Sequence, residues 1–343
     1  MRAARGVKGG LPVRPLGRTG LAVSRLGLGL AAVGRPGYIT LGRARDLPPA
    51  RTPEALAART AALCDAAWAS GVRYFDAARS YGRAEEFLAR WLTRRGIAAG
   101  AVVVGSKWGY RYTAGWTIDA AVHEEKELSL ARFTQQLGET RALLGDHLDL
   151  YQIHSATAES GCLEDERLLA ALVAARRSGA CRALGLSLSG PTSDRALALA
   201  LAARIDGEPV FDAVQATVNL LEPSLLPLLA AAHAAGLGVI AKEVHANGRL
   251  ADANDRPGDA GLVAALRALA ADAGVAIADL ALAWVVGQPQ IDVALSGAAT
   301  TAQLAGHVRA AALALDPDTS AALARFAEAP AAYWATRARL PWT

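Results

Sequence analysis

Eight short runs of β-branched and aliphatic residues recur along the 343-residue chain, each set between longer stretches of helical character. This alternation is what most constrains the fold. The strand runs fall at 24–28, 73–75, 102–106, 148–153, 183–186, 213–215, 238–241 and 292–295, and the helical stretches near 54–70, 83–94, 125–144, 164–177, 193–203, 223–235, 260–286 (broken at Gly274) and 301–313. Repeated β–α units predict a parallel sheet, and eight of them in a chain of this length predict a single (β/α)8 barrel, an α/β fold. Residues 11–22, with Gly17 and Thr19-Gly20, read as a small β-hairpin ahead of the barrel, and residues 1–10 as a flexible tail. No internal repeat or low-complexity linker interrupts residues 11–343, which read as one domain. Three connections are long, at 31–53, 108–122 and 243–258, and they fall on the side of the barrel whose loops carry function.

Composition removes several function classes. The net charge of +4 is scattered, with arginines spaced singly along helices, so no nucleic-acid surface is expected. No long uncharged apolar run reads as a membrane span, and the basic start lacks the apolar segment of a secretory signal. Cys64, Cys162 and Cys181 are odd in number and far apart, which suits a reducing cytoplasm and neither a disulfide framework nor a metal site. Lysine is scarce: of 36 Lys plus Arg, only Lys8, Lys107, Lys126 and Lys242 are lysines. Lys107 and Lys242 each follow an apolar strand run, where a cation whose pKa shifts readily on burial serves chemistry better than an arginine.

Four residues follow three successive strand runs: Asp76 and Tyr81 after 73–75, Lys107 after 102–106, and His154 after 148–153. In an α/β barrel such positions converge on one mouth. A phenol, an ammonium, a carboxylate and an imidazole brought together there make a proton-transfer device: Tyr81 as general acid, Lys107 lowering its pKa, Asp76 anchoring Lys107, and His154 polarising a carbonyl oxygen. Other motifs fail. Gly34 comes too late after Gly27 and Gly29 for a dinucleotide fingerprint, and Gly185-Leu186-Ser187-Leu188-Ser189 lacks the last glycine of a nucleophile elbow.

The frames Phe75-Asp76-Ala77-Ala78-Arg79-Ser80-Tyr81-Gly82, Gly105-Ser106-Lys107-Trp108-Gly109 and Leu150-Tyr151-Gln152-Ile153-His154 resemble the aldo-keto reductases, over a span from about residue 15 to about residue 323. The resemblance implies a nicotinamide cofactor, NADP or NAD, lying extended across the barrel mouth, and a small-molecule carbonyl or alcohol as substrate. It places Ser187 and Gln215 on the carboxamide and Lys242 where relatives often stack an aromatic on the ring. It places Ser296, Gly297, Ala298, Gln303 and His307 at the adenosine end. Two departures stand out: Leu188 where an asparagine commonly follows the serine, and Gln303 where NADPH-preferring relatives carry an arginine. With no basic residue between Ser296 and Gly306, the usual NADPH preference is weakened, although backbone amides at that helix start remain available to a phosphate. Trp108, Tyr110, Tyr112 and Trp116 cluster after the third strand run, and Trp108, Tyr110 and Trp116 are the expected substrate wall. The segment from Tyr333-Trp334 to Trp342 reads either as a lid or as a tail docking on a partner. Two rival functions stay open, a non-catalytic nicotinamide-sensing member of the same superfamily and a Schiff-base lyase using Lys107 or Lys242.

Overall fold

A computed structural model describes residues 11–343; the expected tail at 1–10 lies outside them. Eight parallel strands close into a barrel in chain order: Leu26–Gly29, Tyr74–Asp76, Val103–Trp108, Leu148–Ala156, Ala183–Leu188, Ala213–Thr217, Gly238–Lys242 and Val293–Ser296. The last pairs with the first through Ala294–Leu26, Leu295–Gly27 and Ser296–Leu28, which completes the ring. Helices Pro53–Ala69, Ala84–Arg95, Leu130–Leu144, Glu166–Arg177, Ser193–Ala202, Leu226–Ala234, Ala260–Ala273, Ile277–Val286 and Thr301–Ala310 surround it. Among the described residues no single helix is long and apolar enough to cross a membrane; the apolar helix Ile277–Val286 is instead buried along most of its length in the barrel wall.

Two apolar layers hold the barrel. One fills the space between strands and helices, and the other is an interior plug in which Tyr74, Val103, Leu150, Ile240 and Val293 meet Leu16, Leu21 and Val23. Those last three belong to the hairpin formed by Val13–Pro15 and Ala22–Ser24, which closes the N-terminal end. Its turn fits tightly: a Cβ on Gly17, whose φ is +49°, would lie 2.2 Å from the Gly238 nitrogen. The barrel is therefore plugged at one end and open at the other.

The strands run further toward the C-terminal mouth than the apolar pattern indicates. Lys107, His154, Ser187, Lys242 and Ser296 lie inside strands rather than beyond them. A polar residue ends an apolar run in the sequence, but it does not end a ladder whose hydrogen bonds continue. The first run divides: Ser24 belongs to the hairpin, and its hydroxyl donates to the Leu26 carbonyl (2.6 Å) and accepts from the Arg73 amide (2.8 Å). The stretch 108–122 is not a bare loop. Tyr110–Tyr112 pairs with Glu124–Lys126 in a second hairpin, which delays the next helix to Leu130, where Ser129 caps it.

The C-terminal segment folds back on its own barrel. Tyr333 is buried with its hydroxyl accepting from the Asn219 amide at 3.0 Å, and Trp342 forms a bridge to Ile39 and stacks on His123 with 3.8 Å between ring centroids.

Gly105, on the third strand, shows how closely the interior is filled. A Cβ there would sit 2.3 Å from the Tyr74 hydroxyl, inside a ring of buried side chains. Gly105→Ala is expected to cost about 1–3 kcal/mol in urea unfolding, and Tyr74→Phe, which removes the obstructing oxygen, is expected to recover part of that loss in the double variant.

Candidate active site

The second strand ends in Asp76, and the chain then turns through residues 77–82, with the Tyr81 amide donating to Ala78 (3.0 Å) and the Arg79 amide to the Lys107 carbonyl (3.0 Å). Gly34 and Gly82 permit the turn to lie against the loop after the first strand, because a Cβ on Gly34 would be 2.4 Å from the Tyr81 carbonyl. Lys107 points into the barrel from the third strand. On the fourth, Ser155 adopts a φ of +54° where the register with the fifth strand shifts, and this bulge aims His154 at the mouth.

The Lys107 ammonium is fully buried and forms a short ion pair with Asp76 Oδ1, and it also donates to the Ala77 carbonyl at 3.1 Å. Asp76 Oδ2 accepts from the Gln215 amide (2.9 Å) and the Tyr74 hydroxyl (3.2 Å). A buried pair survives desolvation only when its remaining polar atoms are satisfied, and this one is. Tyr81 stands over the pair, with Lys107 Nζ 5.0 Å from its ring centroid, and meets His154 edge-on at 5.5 Å. Arg35 backs Tyr81 from the other side at 5.4 Å, donating to the Ser80 carbonyl (2.9 Å) and Glu124 (2.8 Å).

Burial, followed by the Asp76 carboxylate, pushes the Tyr81 hydroxyl well above its ordinary value. The downward shift expected from Lys107 does not appear, because that positive charge is spent on Asp76. Tyr81 is a neutral phenol and holds a proton to give. His154 is pushed well below its ordinary value by burial and then by Lys107 and Lys242, so it is a neutral imidazole.

All four expected catalytic residues come together, with Asp76, Tyr81 and His154 lining a cavity of about 570 Å³ at the C-terminal mouth. That volume falls within the range of small-molecule sites. Segments from all three long connections line it. Gln215, Lys242, Ser296, Gly297, Ala298, Gln303 and His307 also line it, together with Tyr110. Ser187 does not: it is fully buried, and its hydroxyl accepts from the Ser155 amide at 2.8 Å, while Ser189 reaches the cavity instead. Trp108 and Trp116 are likewise off the cavity wall. Trp108 packs on Phe133 (5.1 Å) between barrel and helices, and Trp116 packs on Phe87 (6.4 Å) and donates to the Arg51 carbonyl. The helix-start amides of Ala299 and Thr300 are already bonded to Gln303 Oε1, at 2.8 and 3.2 Å.

Lys242 donates to Thr217 (2.8 Å) and Ser189 (3.0 Å), 4.0 Å from Glu243, and burial lowers it to about 8. Glu243, with a φ of +54°, is clamped by Arg337 from the C-terminal helix Pro330–Ala338 at 2.9 and 2.5 Å. Burial raises its pKa, but Arg337 and Lys242 together outweigh that and hold it at about 2. Arg35, Asp46 and Arg337 were not expected from the sequence; Glu243 lies in one of the long connections and Trp342 in the segment read as a lid or a docking tail. Their places depend on contacts between distant segments, and for Arg35 and Asp46 only a position in a long loop after a strand hinted at a role.

The Glu243 pKa lies below its unfolded value of 4.5, so the stability it contributes is complete above about pH 4.5 and is lost as pH falls toward 2. Comparing urea unfolding at pH 6 and pH 3, Glu243→Gln should lose about 2 kcal/mol less than the wild type over that interval. Equal losses would show that the clamp carries no such energy.

The model of the aldo/keto reductase family matches residues 25–328. The uncharacterized oxidoreductase YrpG of Bacillus subtilis is 28% identical over 327 residues, covering 88% of this chain and 92% of that protein. Pyridoxal 4-dehydrogenase of Microbacterium luteolum is 38% identical over 113 residues, a match that spans 32% of this chain and 28% of that enzyme's length. Among solved structures, a Pseudomonas aeruginosa protein assigned to the aldo-keto reductases superposes with a TM-score of 0.62 at 26% identity, covering 89% of this chain and 98% of that one. The holo form of an aldo-keto reductase from Bacillus halodurans shares the fold, with a TM-score of 0.71 at 20% identity over 93% of this chain and 97% of that one. With the family model spanning most of its length and a closed parallel barrel beneath it, this chain belongs to the aldo/keto reductase family.

Proposed function

We propose that this oxidoreductase interconverts a carbonyl compound and its alcohol using NAD(P), with Tyr81 carrying the proton. The observation behind this reading is the convergence of Tyr81, His154 and the Lys107–Asp76 pair on a single cavity at the open end of the barrel. The cavity suits a dinucleotide: it runs from Tyr81 and His154 to Ser296, Gly297 and Ala298, and a Cβ on Gly297 would meet nothing, so backbone lies open there. On this reading Ser189, Gln215 and Lys242, which line the cavity, hold the nicotinamide end, and Ser296, Gly297, Ala298 and His307 the other. When bound, the nicotinamide supplies or accepts the hydride.

The rest is work for the chain's own groups. In the reducing direction Tyr81 donates its hydroxyl proton to the carbonyl oxygen, and in the oxidising direction it takes that proton back. The phenolate left behind lies above the buried Lys107 ammonium, which attracts it more than it attracts the neutral phenol. Asp76 fixes that ammonium in place. His154 donates a hydrogen bond to the same oxygen and sets its approach. Tyr110 supports His154 edge-on at 4.9 Å and gives the substrate a flat apolar wall. The partial likeness to pyridoxal 4-dehydrogenase makes pyridoxal a first compound to try.

Tyr81→Phe tests the assignment. With NADH or NADPH and a panel of pyridoxal, 4-nitrobenzaldehyde and an aldohexose, turnover should fall by about 10²–10⁴-fold while nucleotide affinity stays near wild type. Turnover unimpaired in the variant would remove Tyr81 from the mechanism. A wild type that binds nucleotide but turns over nothing would favour a sensing role.

A further inference from the structure

Beside Gln303 on the cavity wall stands a carboxylate that the chemistry above does not use. Asp46, at the end of the short helix Arg43–Asp46 in the long connection after the first strand, lines the cavity beside Gln303. Its Oδ2 accepts from the Gln303 amide at 2.9 Å, and Oδ1 is left as an acceptor. Gln303 is fixed from its other side. Its Oε1 takes the Ala299 and Thr300 amides, and its backbone N–H donates to Thr300 Oγ1 at 3.1 Å. The glutamine thus holds the carboxylate in place and takes the Ala299 and Thr300 amides just ahead of the helix.

None of the neighbouring arginines forms an ion pair with Asp46. Arg45 is turned to Asp255 (3.0 Å) and the Ala253 carbonyl (3.3 Å), and Arg59 donates to the Ala299 carbonyl (3.3 Å). Arg43 is buried among the carbonyls of Ala32, Pro36 and Arg35. The other carboxylate on this wall, Asp252, accepts the Ile277 amide at 3.1 Å and adds to the negative side. In the pose proposed above, with the adenosine half at Ser296, Gly297 and Ala298, the second ribose comes to the neighbourhood of Gln303 and Asp46. A fixed carboxylate accepts hydrogen bonds from a ribose diol and repels a phosphate monoester in its place.

We propose that Asp46, aligned by Gln303, makes this a site for NAD(H) and against NADP(H), by accepting from the adenosine ribose hydroxyls and opposing a 2′-phosphate. The proposal rests on the nicotinamide reading given above. It is tested by binding rather than turnover: the purified full chain is titrated with NADH and with NADPH, following tryptophan fluorescence, for wild type, Asp46→Asn and Asp46→Ser, with circular dichroism to show that each variant is folded. Wild type should bind NADH about ten- to a hundredfold more tightly than NADPH. Both variants should bring the two affinities to within about threefold, largely by gaining NADPH affinity. Equal or tighter NADPH binding by the wild type overturns the role of Asp46 and leaves the nicotinamide reading standing, as does a ratio unchanged in both variants. Failure of the wild type to bind either nucleotide overturns both.

Discussion

The site depends on one buried ion pair. Lys107 and Asp76 lie on adjacent strands, with the ammonium out of contact with water. An isolated charge in that position is prohibitively costly, so each partner requires the other, and both require the donors and acceptors around them. Tyr74 reaches Asp76 only because Gly105 leaves room, and Gln215 reaches it from across the barrel. The pair cancels its own charge toward Tyr81 in the resting state, so the phenol keeps its proton. In the proposed mechanism its ammonium becomes useful when negative charge develops on that oxygen.

The surrounding structure isolates this pair. The N-terminal hairpin plugs one end of the barrel, leaving the other as the route to Tyr81. The C-terminal segment folds over that mouth, where Arg337 clamps Glu243 and Trp342 stacks on His123. Lys242 is held by Thr217 and Ser189 beside Glu243. A positive group there takes the place of the aromatic that the family resemblance leads one to expect.

The barrel and the four residues that meet at its mouth were legible in the sequence because each depends on local pattern. Eight apolar runs separated by helical stretches leave few other topologies, and polar residues at the ends of those runs mark the mouth. Misplacements came where a residue type was read without its direction. Trp108 follows Lys107 on one strand, and alternation sends the two to opposite faces, so an inward lysine already implies an outward tryptophan. Strand ends were set short because Lys107, His154 and Lys242 break the apolar run without breaking the ladder. The pairings of Asp46 with Gln303 and of Glu243 with Arg337 were illegible for a different reason: the partners lie 257 and 94 positions apart, and no periodicity reports such pairings.

The most direct test of the central claim is a double-mutant cycle on the pair, reading kcat/KM for 4-nitrobenzaldehyde reduction by NADH in wild type, Asp76→Asn, Lys107→Met and the double variant. A pair that acts as one unit predicts a large loss in each single variant and a double variant no worse than the more impaired of them. Losses that multiply, or a Lys107→Met enzyme as active as wild type, would contradict it.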